Sequence, residues 1–151
     1  MARLPCFDSS HLEAACRVLA DTSNGLSGAD IEYLLKEIGI ADPTPSMTKW
    51  KRLFNALGQA QNEHQVGNHV VQFINRAMSP ARYTSAPELF AWRQDGLNVS
   101  LAFAGYGVND RGQTVHTTPE ATVDGARARV NSSFRSCISS LTFSGAFSSS
   151  S

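Results

Sequence analysis

Apolar residues recur at helical spacing through most of the first hundred positions. Leu12, Ala15, Cys16 and Leu19 follow the i, i+3, i+4, i+7 rule, which predicts a first helix starting at Ser9 or Ser10. Ile31, Leu34, Leu35 and Ile38 repeat the pattern behind Ser27 and Asp30, a hydroxyl and a carboxylate three residues apart that suit the first turn of a helix. Gly39 is the expected stop, and Asp42-Pro43-Thr44-Pro45 reads as a rigid turn, because proline fixes its own backbone and turns the preceding residue away from helix. A third helix is expected from Ser46 or Thr48, burying Trp50, Leu53, Phe54 and Leu57. A fourth should bury Val70, Phe73, Ile74 and Ala77 and break at Ser79-Pro80.

The pattern then changes twice. Behind Ser85-Ala86-Pro87-Glu88, a capping box with proline in the first turn, Leu89, Phe90, Trp92, Leu97, Val99, Leu101 and Phe103 occupy no single stripe. This predicts a central fifth helix contacted from several sides, in which Arg93 and Asn98 need internal polar partners. Tyr106-Gly107-Val108 and Gln113-Thr114-Val115 flank the turn-forming Asn109-Asp110-Arg111-Gly112, so a small β-hairpin is expected near residues 106–115. Thr117-Thr118-Pro119-Glu120 is read as the cap of a last helix, with Val123, Ala126, Val130 and Phe134 on one side and Gly125 weakening it. The predicted architecture is mainly α: a compact domain of five to six helices with one hairpin over residues 1–131. Residues 132–151 are half serine and carry no acidic group, and are expected to form a disordered tail.

Composition limits the partners more than it names them. A chain of 151 residues that is 42% hydrophobic and 17% charged can bury one real core. Thirteen basic residues balance thirteen acidic ones, so a nucleic-acid or lipid partner would have to use a local patch. Cys6, Cys16 and Cys137 are odd in number and widely spaced, which argues against a disulfide framework and a thiolate zinc site and suits a reducing cytoplasm. Cys16, on the apolar stripe, reads as an inert core residue. Asp8, His11 and Glu13 interrupt the amino-terminal apolar residues, and no later run is long enough for a bilayer, so no membrane association is expected.

Candidate chemistry is sparse. Lys49, Lys51 and Arg52 cluster at the start of the third helix and could meet phosphates, but their interleaving with Trp50 and Leu53 fits the wet face of an ordinary amphipathic helix. His64 and His69 are five residues apart, and in a continuous helix that spacing points the rings in different directions, against a metal pair. No catalytic residue, metal ligand or cofactor is assigned.

The segments GLSGADIEYLLKEIGIADPTPSMTKWKRLFNAL, FINRAMSPARY, LNVSLAFAGYGVNDRGQ and TTPEATVDGARAR together resemble the amino-terminal region of bacterial abortive-infection-like proteins. There a helical module precedes a carboxy-terminal Abi/Ymh domain of the HEPN class. Members of that class often act as metal-independent ribonucleases through an arginine followed closely by a histidine. Here Arg127, Arg129 and Arg135 all lie beyond the last histidine, His116, so the resemblance brings over no catalytic residue. It implies a non-enzymatic accessory or sensor module of phage defence, separated from its effector domain and contacting a protein partner, the serine-rich ending being that of a chain truncated or frameshifted before the nuclease domain. The alternative is a nucleic-acid-binding module using Lys49, Lys51, Arg52, Arg76 and Arg82. A third class, a small hydrolase or ribonuclease with a dispersed site, would need His116 or His64 brought beside Arg111 or Arg93.

Overall fold

The computed structural model describes residues 3–128; the serine-rich tail, Cys137 and the arginines at 129 and 135 lie outside them. Five α-helices follow one another: α1 (Ser9–Leu19), α2 (Gly28–Glu37), α3 (Lys49–His64), α4 (Asn68–Ala77) and α5 (Pro87–Ala102). A 3-10 turn, Pro80–Tyr83, separates α4 from α5, and strands β1 (Tyr106–Val108) and β2 (Thr114–His116) follow. Residues 123–128 are helical. The fold is mainly α with one small hairpin, as the hydrophobic pattern predicts.

The predicted stripes are the buried faces. Leu12, Ala15, Cys16 and Leu19 of α1, Ile31, Leu34 and Leu35 of α2, and Val70, Phe73, Ile74 and Ala77 of α4 enter one core. In α2 the capping box is complete: Ser27 Oγ accepts from the Asp30 amide at 3.0 Å, and Asp30 Oδ2 accepts from the Ser27 amide at 3.2 Å. Its other end closes where Gly39 adopts φ +76°. Trp50, Phe54 and Ile38 pack against the core only half-buried, because each stands at the edge of its stripe.

Helix α5 touches α1, the 3-10 turn and β1, the several-sided contact that its scattered apolar residues predict. Asn98 holds the hairpin to it: Oδ1 accepts from the Val108 amide at 2.6 Å and Nδ2 donates to the Val108 carbonyl at 3.3 Å. The other strand is tied to α4, where Asn75 Oδ1 accepts from the Thr114 amide at 2.7 Å. The strands pair antiparallel, Tyr106 with His116 and Val108 with Thr114. The second strand therefore starts one residue later than the sequence suggests. Gln113 belongs to the turn, its carbonyl accepting from the Asn109 amide at 2.9 Å. Gly112 has φ +76°, and a Cβ there would lie 1.9 Å from the Met78 carbonyl oxygen, so the turn also packs on the end of α4.

Two caps differ from expectation. The N-cap of α5 is Ala86, with no side-chain bond, and its amide donates to the Tyr83 carbonyl at 3.1 Å, so the helix begins one residue later than a Ser85 cap would set it. The Thr117 and Glu120 amides donate to the carbonyls of Gly105 and Ala102, so Thr117-Thr118-Pro119-Glu120 precedes the final helical segment instead of opening it. Thr122 stands at the start of that segment, its Oγ1 accepting from the Gly125 amide at 3.0 Å. In this segment Ala126 is buried, whereas Val123, expected on the same side, is 57% exposed.

Candidate functional site

The basic cluster at the start of α3 is taken apart by folding. The Lys49 ammonium donates to the carbonyls of Asp21 and Leu26, at 3.0 and 2.9 Å, and so holds the loop between α1 and α2. Arg52 is buried; its Nε and one terminal nitrogen reach Asp42 Oδ2 at 2.9 and 2.7 Å, and the other donates to the Gly28 carbonyl at 3.3 Å. These contacts correct the solvated-face reading for Arg52, since the loops before α2 and α3 lie across the start of α3. Lys51 alone of the three is exposed, near the Trp50 ring, whose face Arg17 covers at 3.9 Å.

Arg76 and Arg82 lie elsewhere, in an open cleft of about 660 Å3 between α2 and α4. Its floor includes Leu34 and Ile38, its walls Gln72, Asn75 and Ser79, and its rim Tyr33 and Glu37. Arg76 reaches Glu37 Oε1 at 2.9 Å and remains half exposed, while Arg82 approaches Asp30 Oδ1 at only 3.5 Å. Each guanidinium thus has one acidic contact and further N–H donors available. Tyr33 is 55% exposed, and its hydroxyl donates to Glu37 Oε2 at 3.0 Å. That bond and the Glu37 charge push the phenol pKa up, which keeps the proton in place. Burial alone would raise the Asp30 pKa, but bonds from Ser27 and the charges of Arg82 and Arg93 outweigh it and hold the carboxyl below its usual range.

The internal network expected of Arg93 and Asn98 is present. Arg93 is buried, donating through Nε to the Asn24 carbonyl and through a terminal nitrogen to the Tyr83 hydroxyl, both at 2.8 Å. The Tyr83 hydroxyl in turn donates to the Ala77 carbonyl at 2.6 Å. One side chain of α5 therefore joins the α1–α2 loop, the 3-10 turn and the end of α4.

Of the pairs a dispersed site would need, folding sets His116 and Arg111 apart. His116 lies against Tyr106, ring centres 4.8 Å apart, at the open end of the hairpin, whereas Arg111 is in the turn at the other end. Cys16 is wholly buried, which pushes its thiol far up and leaves it inert, as its place on the stripe suggests.

The histidine reading needs correction. Helix α3 ends at His64, Gln65 turns left-handed at φ +56°, and α4 begins at Asn68, so His64 and His69 are not on one helix. The reversal brings their rings to 4.6 Å, centre to centre. His69 Nδ1 is buried without a hydrogen-bond partner, and burial, followed by the His64 charge, lowers the His69 pKa. No group of three or more candidate metal ligands occurs among the described residues, and none of their helices is long and apolar enough to cross a membrane. In comparisons with known proteins, the chain matches no family model, no curated protein and no solved structure.

Proposed function

We propose that this chain is a non-enzymatic protein-interaction module, of the accessory or sensor kind that precedes the effector domain in abortive-infection-like proteins, and that its docking site is the cleft between α2 and α4. The observation that carries the reading is the state of the cleft's cations. Arg76 and Arg82 each have a single acidic contact beside an exposed tyrosine, whereas Lys49, Arg52 and Arg93 are bound to the fold. Surface ion pairs of this type are worth about 0–1 kcal/mol. A carboxylate from an acidic segment of a partner can displace Glu37 or Asp30 at little cost and gain bidentate geometry. Tyr33 supplies the rigid amphipathic contact that protein interfaces favour.

A photo-crosslinking amino acid at position 33, with a second at position 51 as control, tests this in cells of the source organism. The expected result is a discrete polypeptide adduct from position 33, absent from position 51 and lost in the Arg76→Glu, Arg82→Glu variant. An adduct with nucleic acid, or one unchanged by the charge reversals, would overturn the proposal. Nucleic-acid binding through Lys49, Lys51, Arg52, Arg76 and Arg82 predicts instead a steep salt dependence.

A further inference from the structure

We propose that the cleft between α2 and α4 docks a second copy of this chain, in a two-fold dimer where each cross-cleft ion pair joins its symmetry mate in a square of alternating charge. This names the partner, and it rests on the reading of the cleft as a docking site. The two sides of the cleft carry opposite charge. Asp30, Tyr33 and Glu37 are spaced i, i+3, i+7 on α2 and so form one stripe, with an acid at each end and the exposed phenol between them. Opposite the stripe, Arg76 on α4 pairs with Glu37 at 2.9 Å and Arg82 in the 3-10 turn approaches Asp30 at 3.5 Å. All four side chains stay partly open to solvent, so each can accept a second partner of opposite sign.

A two-fold axis lying in the contact plane and parallel to the stripe exchanges the two sides. Glu37 then meets Arg76 of the facing copy, and Asp30 meets its Arg82, each contact occurring twice. The axis at right angles would set acid against acid, so charge selects one orientation. An acidic peptide alone pairs the arginines but leaves Glu37 and Asp30 without a cation, whereas a second copy supplies both signs. Formal net charge is zero, so two copies approach without long-range repulsion. The middle of the stripe is also matched. Asn75 lines the cleft, and its Oδ1 is taken by the Thr114 amide at 2.7 Å, which leaves Nδ2 as a donor. The Tyr33 hydroxyl gives its proton to Glu37 and can accept that bond from the facing copy.

Sedimentation velocity of the purified full chain over a concentration series tests this. The wild type should show a monomer–dimer equilibrium that weakens as salt is raised. Arg76→Glu and Glu37→Arg, each shown by circular dichroism to be folded, should each weaken self-association at least about tenfold, whereas Lys51→Glu should not. An equimolar mixture of the two reversed variants should dimerise again, because each then supplies the charge the other lacks. A wild type that stays monomeric, self-association indifferent to both reversals, or no heterodimer in the mixture would overturn the second copy as occupant. If the cleft is a docking site for a different protein, the wild type alone stays monomeric while position 33 still crosslinks to another polypeptide in cells; loss of every polypeptide adduct there overturns the docking site as well.

Discussion

Removal of the Arg93 guanidinium should be among the most damaging single changes to the fold. Arg93 is 6% exposed and makes two bonds of 2.8 Å, to the Asn24 carbonyl and the Tyr83 hydroxyl. Hydrogen bonds from a charged donor contribute about 1.5–3 kcal/mol each. Against their sum stands the desolvation of a buried cation, a cost the alanine variant escapes. The expected net loss for Arg93→Ala is about 2–4 kcal/mol, or a fall in Tm of roughly 4–16 °C at the 2–4 °C per kcal/mol typical of this size. Tyr83→Phe should cost about 2 kcal/mol, since it leaves one buried Arg93 donor and the Ala77 carbonyl without the hydroxyl. Because both changes break the same bond, the double variant should lose less than the sum, with a coupling of about 1–2 kcal/mol. Urea denaturation of the four proteins, followed by far-ultraviolet circular dichroism, measures each value. A cost for Arg93→Ala below about 1 kcal/mol, or additivity within about 0.5 kcal/mol, would refute the bridge.

Three further outcomes follow from named contacts. Arg52→Ala should destabilise by about 2–3 kcal/mol, below the usual figure for breaking a fully buried pair because Asp42 is partly exposed, whereas Lys51→Ala should stay within about 0.5 kcal/mol; equal denaturation midpoints for the two would contradict the assignment. Gly112→Ala adds a Cβ 1.9 Å from the Met78 carbonyl at a positive φ and should cost at least about 2 kcal/mol in thermal unfolding. Asp30 has a folded pKa below its unfolded value of about 3.9, so its stabilisation is complete above that pH and is lost as the pH falls toward the folded value; Asp30→Asn should lower stability at neutral pH and flatten its decline in acid, seen as converging urea midpoints.

The parts of the fold legible in the sequence are those decided within one turn of chain. The stripes of α1, α2 and α4 and the Ser27–Asp30 capping box depend on neighbours three or four residues apart, and they form as read. The scattered apolar residues of α5 also carried their meaning, because a helix without a polar face must be covered on several sides. The misplaced features are those in which a distant segment takes over a local signal. Ser85-Ala86-Pro87-Glu88 has the residues of a capping box, but Ala86, bonded back to the Tyr83 carbonyl, is the N-cap. Thr117 and Glu120 have capping chemistry, yet their amides close onto Gly105 and Ala102.

The same cause explains why candidate chemistry was harder to read than architecture. Three cations in four residues form a patch only if nothing folds over them, and carbonyls 23 and 28 positions away in sequence take up Lys49. A carboxylate ten residues back takes up Arg52. For His64 and His69 the error ran the other way: five-residue spacing separates two rings only while the helix continues, and it ends between them. Gly67, within hydrogen-bonding reach of the Leu4 carbonyl and followed by the first residue of α4, was the signal for that reversal. A charge cluster or a ligand spacing in a small helical protein acquires chemical meaning only once the helix ends beside it are placed, because each end both redirects the chain and exposes backbone groups that nearby polar side chains satisfy.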